Sequence, residues 1–219
     1  MVVTTTTDEI LNQVLLAIGE DQATLATPVL MTRADILAYI NILYQNRIGK
    51  ALKRLSLYSY DGSDAGHTIT AGVGTLPTDF LEAYRMYDGD IDDGTLLEQI
   101  YDLHSKVEDD ADTSQYIIIN NTTFWIYGQT PTTGIEFYYY AKPTALTDSS
   151  ASSPTALKEE FHVMPFVYEI KKLYALRNDE AGDAYDLEVI LEATIRDIEF
   201  AHNVNDYQPD KIVDVYGGL

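Results

Sequence analysis

The chain has 219 residues, with 35 acidic and 14 basic side chains and a formal net charge of −21, so it is a poor candidate for a protein that binds free nucleic acid through its phosphates. It contains no cysteine, which excludes disulfides and thiolate metal sites. Hydrophobic residues make up 46% of the chain and include 17 tyrosines, so its composition is that of an ordered protein with a packed core. The sequence lacks a run of about 18 apolar residues, so we expect no membrane-spanning helix.

Two helices are predicted in the first quarter of the chain. The first begins at a capping box formed by Thr6 and Glu9, which precedes an apolar stripe with helical spacing. The second begins after Thr32, which is followed three residues later by Asp35. Its apolar residues keep the spacing of a core-facing helix over about 33–55, so we expect one long helix there.

The second predicted helix carries the one basic cluster of the sequence, which consists of Arg47, Lys50, Lys53 and Arg54. Three of these residues follow the i, i+3, i+7 spacing of one helix face, with Lys53 beside them. The pattern leaves open a solvated face, a contact with DNA and a contact with an acidic neighbour. In so acidic a chain, a concentrated basic stripe favours pairing between subunits, and we take it as a candidate inter-subunit surface.

A β-rich region with an antiparallel sheet is predicted over 57–154, where the apolar period changes to two and turn residues recur. The clearest hairpin has strands near Tyr116–Ile119 and Thr123–Tyr127, joined by two asparagines. The stretch TLLEQIYDLHSKVED is ambiguous, because a short helix would also place its apolar residues on one face. The strand IEFYYYA has tyrosines on both faces. This pattern indicates that a helix or another chain covers the second face, or that the strand lies inside a sandwich formed by one chain.

The stretch DGDIDDG contains four carboxylates, Asp88, Asp90, Asp92 and Asp93, and raises the question of a calcium loop. An EF-hand loop that began at Asp88 would need glycine at position 6 and glutamate at position 12, but the sequence has Asp93 and Gln99 there. We therefore interpret the stretch as an acidic turn between two strands. A calcium-dependent binding module is the weaker alternative.

After a connector rich in Ser, Thr and Pro, two more helices are predicted, over about 159–178 and 180–203. Proline at position 165 fits only the first turn of a helix, so the first of the two could begin as late as residue 164. The apolar set of the second comprises Tyr185, Val189, Leu191, Ile195, Ile198 and Ala201. The predicted organisation is α+β: a helical bundle from 1–56 and 155–205, the β-rich insertion, and an extended C-terminal arm over 206–219.

Sequence patterns that indicate catalysis are missing. The four histidines lack metal-ligand spacing, and neither a GxSxG nucleophile elbow nor a glycine-rich phosphate loop occurs. We therefore predict no enzyme activity, no cofactor and no metal site.

The order of these segments resembles the head-to-tail adaptor proteins of tailed bacteriophages, also called connector or head-completion proteins. The likeness covers about 30–205. Its most specific parts are the strand entry LPTDF at Leu76–Phe80, the strand exit formed by Tyr139, Pro143 and Leu146, and the helix pair that follows.

The resemblance implies a structural protein of the virion at the head–tail interface, assembled in the host cytoplasm. Such a protein would form a ring of twelve subunits on the portal, extend the DNA channel and provide the platform for the tail or nozzle proteins. Double-stranded DNA would pass without specific binding, and no membrane would be involved. The arm would bind the portal through Tyr207, Pro209, Lys211, Ile212, Val213, Val215, Tyr216 and Leu219. A tail-tube or gatekeeper subunit is the alternative within the same particle.

Two properties of the sequence agree with this resemblance. Acidic channel walls would repel DNA phosphates and let the genome pass. A ring made by head-to-tail contacts needs two different association surfaces on each subunit, and the basic stripe and the acidic turn are candidates for them.

Overall fold

The computed structural model describes residues 5–19, 31–60, 72–89, 94–101, 115–120, 122–127 and 134–203. It is an α+β structure, as the sequence predicts, and it divides into two compact units. The first unit comprises 1–52 together with 143–219, and the second comprises 53–142. The sequence predicts the insertion at 57–154, so the observed unit begins four residues earlier and ends twelve residues earlier.

The first unit contains five α-helical segments: α1 at Thr7–Ala17, α2 at Arg33–Ile42, α3 at Gly49–Leu52, α4 at Met164–Arg177 and α5 at Ala181–Asn203. Both predicted N-terminal caps are confirmed. The side chain of Thr6 accepts a hydrogen bond from the Glu9 N–H at 3.3 Å, and the Glu9 carboxylate accepts one from the Thr6 N–H at 2.8 Å. Thr32 and Asp35 form the same reciprocal pair at the start of α2. The caps satisfy backbone donors that the first helical turn leaves without partners.

The predicted long helix over 33–55 is wrong in two respects. Leu43–Ile48 is π-helical, and the helical run ends at Leu52. The side-chain amide of Asn46 donates to the Ile42 carbonyl at 2.9 Å, which is the carbonyl that an α-helix would pair with the backbone N–H of Asn46. Lys53 then takes a left-handed conformation with φ of 45°, which stops the helix before the first strand.

The helices of the first unit share one hydrophobic core. Its centre includes Tyr44 and Phe166, whose rings meet edge to face with their centroids 6.0 Å apart. Polar side chains of the second predicted helix hold the connector that leads to α4. Asn41 donates to the Leu146 carbonyl at 2.9 Å and accepts from the Leu146 N–H at 2.7 Å. These two bonds fix the connector along the helix, because both backbone groups of one residue are satisfied by one amide.

The two C-terminal helices lie close to their predicted positions. The helix α4 begins at Met164, the latest start that the sequence allows, and so Pro165 lies in its first turn. The helix α5 ends at Asn203, as predicted. The predicted apolar set of α5 is only partly correct, because Tyr185 and Val189 are exposed, whereas Leu191 and Ile198 are buried.

The second unit is a seven-stranded sheet with the order β1-β7-β3-β4-β5-β6-β2. Its strands are β1 at Leu55–Tyr60, β2 at Val73–Thr75, β3 at Phe80–Asp88, β4 at Thr95–Gln99, β5 at Gln115–Ile119, β6 at Thr123–Tyr127 and β7 at Ile135–Ala141. The prediction of a purely antiparallel sheet is wrong, because β4 and β5 pair in parallel. Fifteen residues, 100–114, connect these two strands, and a parallel pair needs a connection of that length.

Local patterns in the β-rich region are confirmed where they are strongest. The predicted hairpin is the antiparallel pair β5–β6, and its turn closes with the Thr122 N–H donating to the Ile119 carbonyl at 3.2 Å. Asn120 supplies the left-handed φ of 53° that this turn requires. The first five residues of the ambiguous stretch, Thr95–Gln99, form a strand, and its residues 102–109 lie outside the described residues. Leu97 is the buried residue of this strand, which β3 and β5 flank.

The core of the sheet is aromatic. Phe137 and Tyr139 of β7 stack with centroids 5.6 Å apart, and Phe80 of β3 lies 5.9 Å from Phe137. Across the sheet, the ring of Phe124 fills the space above Gly74, where an added Cβ would lie 2.1 Å from the ring. The glycine is therefore required by close approach and not by an unusual φ.

Candidate interaction surfaces

Arg47, the first residue of the predicted basic stripe, is held within its own chain. Its guanidinium lies 2.8 Å from the Glu188 carboxylate and also contacts Glu192, both on α5. Lys172 of α4 completes the network, because its ammonium lies 2.6 Å from Glu169 and 2.8 Å from Glu188. Three helical segments are thereby joined by ion pairs around Glu188.

Burial disfavours the charged forms of the side chains in this network, but the hydrogen bonds between them favour the charged forms more strongly. Although burial alone would lower the pKa of Lys172, its hydrogen bonds to Glu169 and Glu188 raise that pKa overall. Burial would likewise raise the pKa of Glu188, but the hydrogen bonds from Lys172 and Arg47 lower it. Arg47, Lys172 and Glu188 are therefore charged at neutral pH, and the network acts as a clamp inside the first unit.

The remaining cations of the basic stripe do not extend this helical face. The helix ends at Leu52, so Lys53 and Arg54 follow it in non-helical backbone. Lys50 is the residue that remains on the helix with an exposed side chain. A role of Lys50, Lys53 and Arg54 between subunits stays a prediction.

A second cationic centre holds the connector to the first two helices. The Arg33 guanidinium makes two hydrogen bonds to the Asp148 carboxylate, at 2.7 and 2.8 Å, and reaches Asp8 of α1 at 2.6 Å. The hydrogen bonds from Arg33 lower the pKa of Asp148. This fork-shaped contact is structural, because it fixes the connector to the first two helices, and Arg33 also donates to the Asn12 side chain at 2.9 Å.

The acidic turn can be placed only at its first residue. Asp88 is the last residue of β3, and its Oδ1 atom is buried with no hydrogen-bond partner among the described residues. Asp90, Asp92 and Asp93 lie outside the described residues. In the ranges that the structure describes, no group of three or more His, Asp or Glu side chains could hold a metal ion.

The C-terminal arm, with its predicted portal-binding residues from Tyr207 to Leu219, also lies outside the described residues. Its role therefore stays a prediction. Across the described ranges, every helix is too short or too polar to cross a lipid bilayer.

One face of the sheet in the second unit has exposed apolar side chains. Leu57 of β1 lies opposite Tyr138 of β7, and both are at least partly exposed to solvent. The rings of Tyr84 and Tyr140 lie 5.7 Å apart on adjacent strands. The tyrosines on this face therefore shield one another laterally.

A cavity of about 260 Å³ lies in the same unit, between β3 and β5. It is lined by Phe80–Ala83, Gln99–Tyr101 and Ile117–Ile118. The cavity forms because β4 pairs with β3 only at Met86–Asp88 and with β5 only at Gln115–Tyr116, so the rest of β3 and β5 separate. Among the described residues that line it, Glu82 is the one charged side chain, and they include no pair of an acid and a base.

Comparison with protein families gives a match over nearly the whole chain. The family model of SU10 adaptor proteins matches residues 5–210, a range that includes parts of both compact units. The chain belongs to the SU10 adaptor protein family. This confirms the resemblance to bacteriophage head-to-tail adaptors that the order of the segments indicates. A search of curated proteins finds no match to this adaptor.

The geometry of the adaptor also shows which surface the sequence analysis missed. Tyr185, Val189 and Phe200 lie exposed along α5, although the first two were expected in its core. The heptad spacing of Ala184, Leu191 and Ile198 was a usable signal, because three apolar residues seven apart define one helix face.

Proposed function

We propose that this adaptor is a structural virion protein that forms a ring on the portal, extends the DNA channel and provides the attachment platform for the tail. The observation that supports the proposal is the family match over 5–210, which covers the helical segments and the sheet together. An adaptor acts through its surfaces, and we accordingly propose that the protein has no catalytic role.

The charge of the chain supports a channel position. A net charge of −21 repels DNA phosphates within a Debye length of about 8–10 Å, so a ring of such chains would guide DNA without binding it. The acidic turn from Asp88 to Asp93 would then repeat around the ring axis or face a basic neighbour. In an anisotropy titration at low salt, labelled duplex DNA should show no binding, and tight binding would contradict this role.

We propose that the helical segments form the ring body as a bundle and that the arm binds the portal. The arm, over 206–219, contains a short apolar run of Ile212, Val213, Val215 and Tyr216 that only Asp214 interrupts, and such a run suits extended binding to another protein. Deletion of 205–219 should leave the helical content of the adaptor unchanged and abolish its binding to portal.

The direct test is co-purification of the adaptor with its portal and, separately, with tail components. We expect the full-length chain to comigrate with portal on size exclusion and the chain lacking the arm to elute alone. A chain whose arm has the same composition in scrambled order is the matched control, and it should also fail to bind. Binding to tail components in the absence of portal, with no portal binding, would instead assign the protein to the tail tube.

A further inference from the structure

The outward side of α5 has exposed apolar side chains among its charged residues, and nothing in the described structure covers them. The exposed fraction is 70% for Tyr185, 52% for Val189 and 72% for Phe200, and Ile190 lies beside them at 44%. The opposite side of the same helix is buried in the core of the first unit. A surface helix ordinarily has one apolar stripe, so the second stripe on α5 indicates a second packing partner.

The size of this stripe is that of a binding surface. Two aromatic side chains, each about 70% exposed, together with a valine and an isoleucine, present on the order of 300–400 Å² of apolar surface. Patches of this size on a soluble protein are commonly functional. It would supply about half of the area that one partner contributes to a standard interface of about 800 Å².

A surface with complementary properties lies on the same compact unit. Every fourth residue from Ala34 to Lys50 is exposed along α2, the π-helical segment and α3, and these residues are Ala34, Ala38, Ile42, Asn46 and Lys50. Ile42 is 58% exposed. The alanines leave space for large side chains of a facing helix, as in knobs-into-holes packing. We call this surface the α2–α3 side.

The outward side of α5 has more acidic than basic residues. The outward charged residues of α5 that have no ion pair to Arg47 are Asp183, Asp186 and Asp197, with Arg196 as the one cation. The α2–α3 side has the exposed cation Lys50 at its end and the exposed acid Asp35 near its start. Since two copies of a chain at −21 repel each other, self-association requires an apolar contact with locally opposite charges.

We propose that the α5 stripe of one copy binds the α2–α3 side of a second copy. This inference rests on the proposed ring, for which it names the contact between subunits. Because the two surfaces differ, the contact is head-to-tail, and repetition of such a contact produces a ring when the rotation closes. Arg47 clamps α5 to the helical run of the α2–α3 side within each copy, so both surfaces are held on one rigid unit.

The experiment uses two variants that each block one surface, Val189→Asp on α5 and Ile42→Asp on the α2–α3 side. Both side chains are about half exposed, so the monomer should fold, which circular dichroism checks. Each variant alone should self-associate roughly 100-fold more weakly than wild type, because the contact would bury an unpaired charge. The readout is sedimentation velocity of the chain alone and portal-bound stoichiometry by mass photometry.

Mixing the two blocked variants is the decisive step. Each variant has one intact surface of the opposite kind, so an equimolar mixture should form a dimer of twice 24.5 kDa and nothing larger. Leu16→Asp and Leu176→Asp are matched controls, since these exposed leucines of the same unit lie outside both surfaces, and both variants should assemble like wild type.

The outcomes separate this inference from the proposed function. A wild-type ring that Val189→Asp and Ile42→Asp leave intact overturns the assigned surfaces but not the adaptor role. A mixture without dimer overturns the head-to-tail contact, and control variants that dissociate equally overturn its specificity. A wild-type chain that stays monomeric both alone and with portal overturns the ring and this inference together.

Discussion

Lys172 provides the sharpest test of how the helical unit is held together. Its side chain and that of Glu169 are each only 14% exposed, and their ion pair measures 2.6 Å. In the variant Lys172→Met, the methionine keeps most of the aliphatic packing, but Glu169 is left with Arg47 at 3.9 Å as its nearest cation.

The burial of this ion pair sets limits on how much Lys172→Met should lower the free energy of unfolding. Exposed pairs contribute about 0–1 kcal/mol, whereas removing one partner of a fully buried pair costs about 3–5 kcal/mol. For groups this deeply buried but still in contact with water, we expect Lys172→Met to lower the free energy of unfolding by about 2–3 kcal/mol. Urea denaturation at pH 7, followed by circular dichroism at a helix wavelength, measures the change.

Two controls make the result interpretable. Lys171→Met removes a neighbouring exposed cation and should change stability by no more than about 0.5 kcal/mol. Adding Glu169→Gln to Lys172→Met should recover part of the loss, because the unpaired buried charge is then absent. Equal effects of Lys171→Met and Lys172→Met, or no recovery in the double variant, would refute the proposed clamp.

The pH dependence of this clamp follows from Glu188, whose pKa is lowered in the folded state. Because its pKa is lower in the folded state, ionised Glu188 stabilises the fold at pH values above its unfolded-state pKa, near 4.5. This stabilisation is lost as the pH falls through the lower pKa of the folded state. The stability difference between wild type and Lys172→Met should therefore be full at pH 7 and shrink below about pH 4.5. A difference that grows on acidification would contradict this sign.

Three further predictions concern packing, the connector and the acidic turn. Gly74→Ala should destabilise the sheet unit by about 1–3 kcal/mol, because the added Cβ would overlap the Phe124 ring. Gly182 has open space around it, so the control Gly182→Ala should be neutral or stabilising, and thermal melts measure both variants. Asn41→Ala should cost about 1–3 kcal/mol and speed proteolysis of the connector, since both backbone groups of Leu146 lose their partner. Millimolar calcium should leave the melting temperature unchanged, and a clear rise would restore the calcium-binding interpretation of the acidic turn.

The elements that the sequence predicts well are those determined by neighbouring residues. The capping boxes at Thr6 and Thr32 and the turn at Asn120 act over three or four residues, so their signals are visible without knowledge of the fold. The alternation of β7 is equally local, because one face of that strand packs on a single aromatic core.

The elements that the sequence predicts poorly depend on distant partners. Two strands can pair in parallel or antiparallel, and the alternation of side chains along each strand does not distinguish these orientations. The parallel pairing of β4 with β5 is therefore not visible in the local sequence. Both sides of α5 have large apolar residues, so the burial of Leu191 and the exposure of Val189 also depend on where α3 and α4 pack. Likewise, the basic stripe is interrupted because Arg47 finds Glu188, which lies 141 residues away in the sequence.

The central claim, a ring of this adaptor on the portal, is tested most directly by negative-stain imaging of the full-length chain mixed with purified portal. The account predicts an added ring of density coaxial with the portal, and it predicts that this ring is lost when 205–219 is deleted. Portal particles that look the same with and without the adaptor, at both low and high salt, would contradict it.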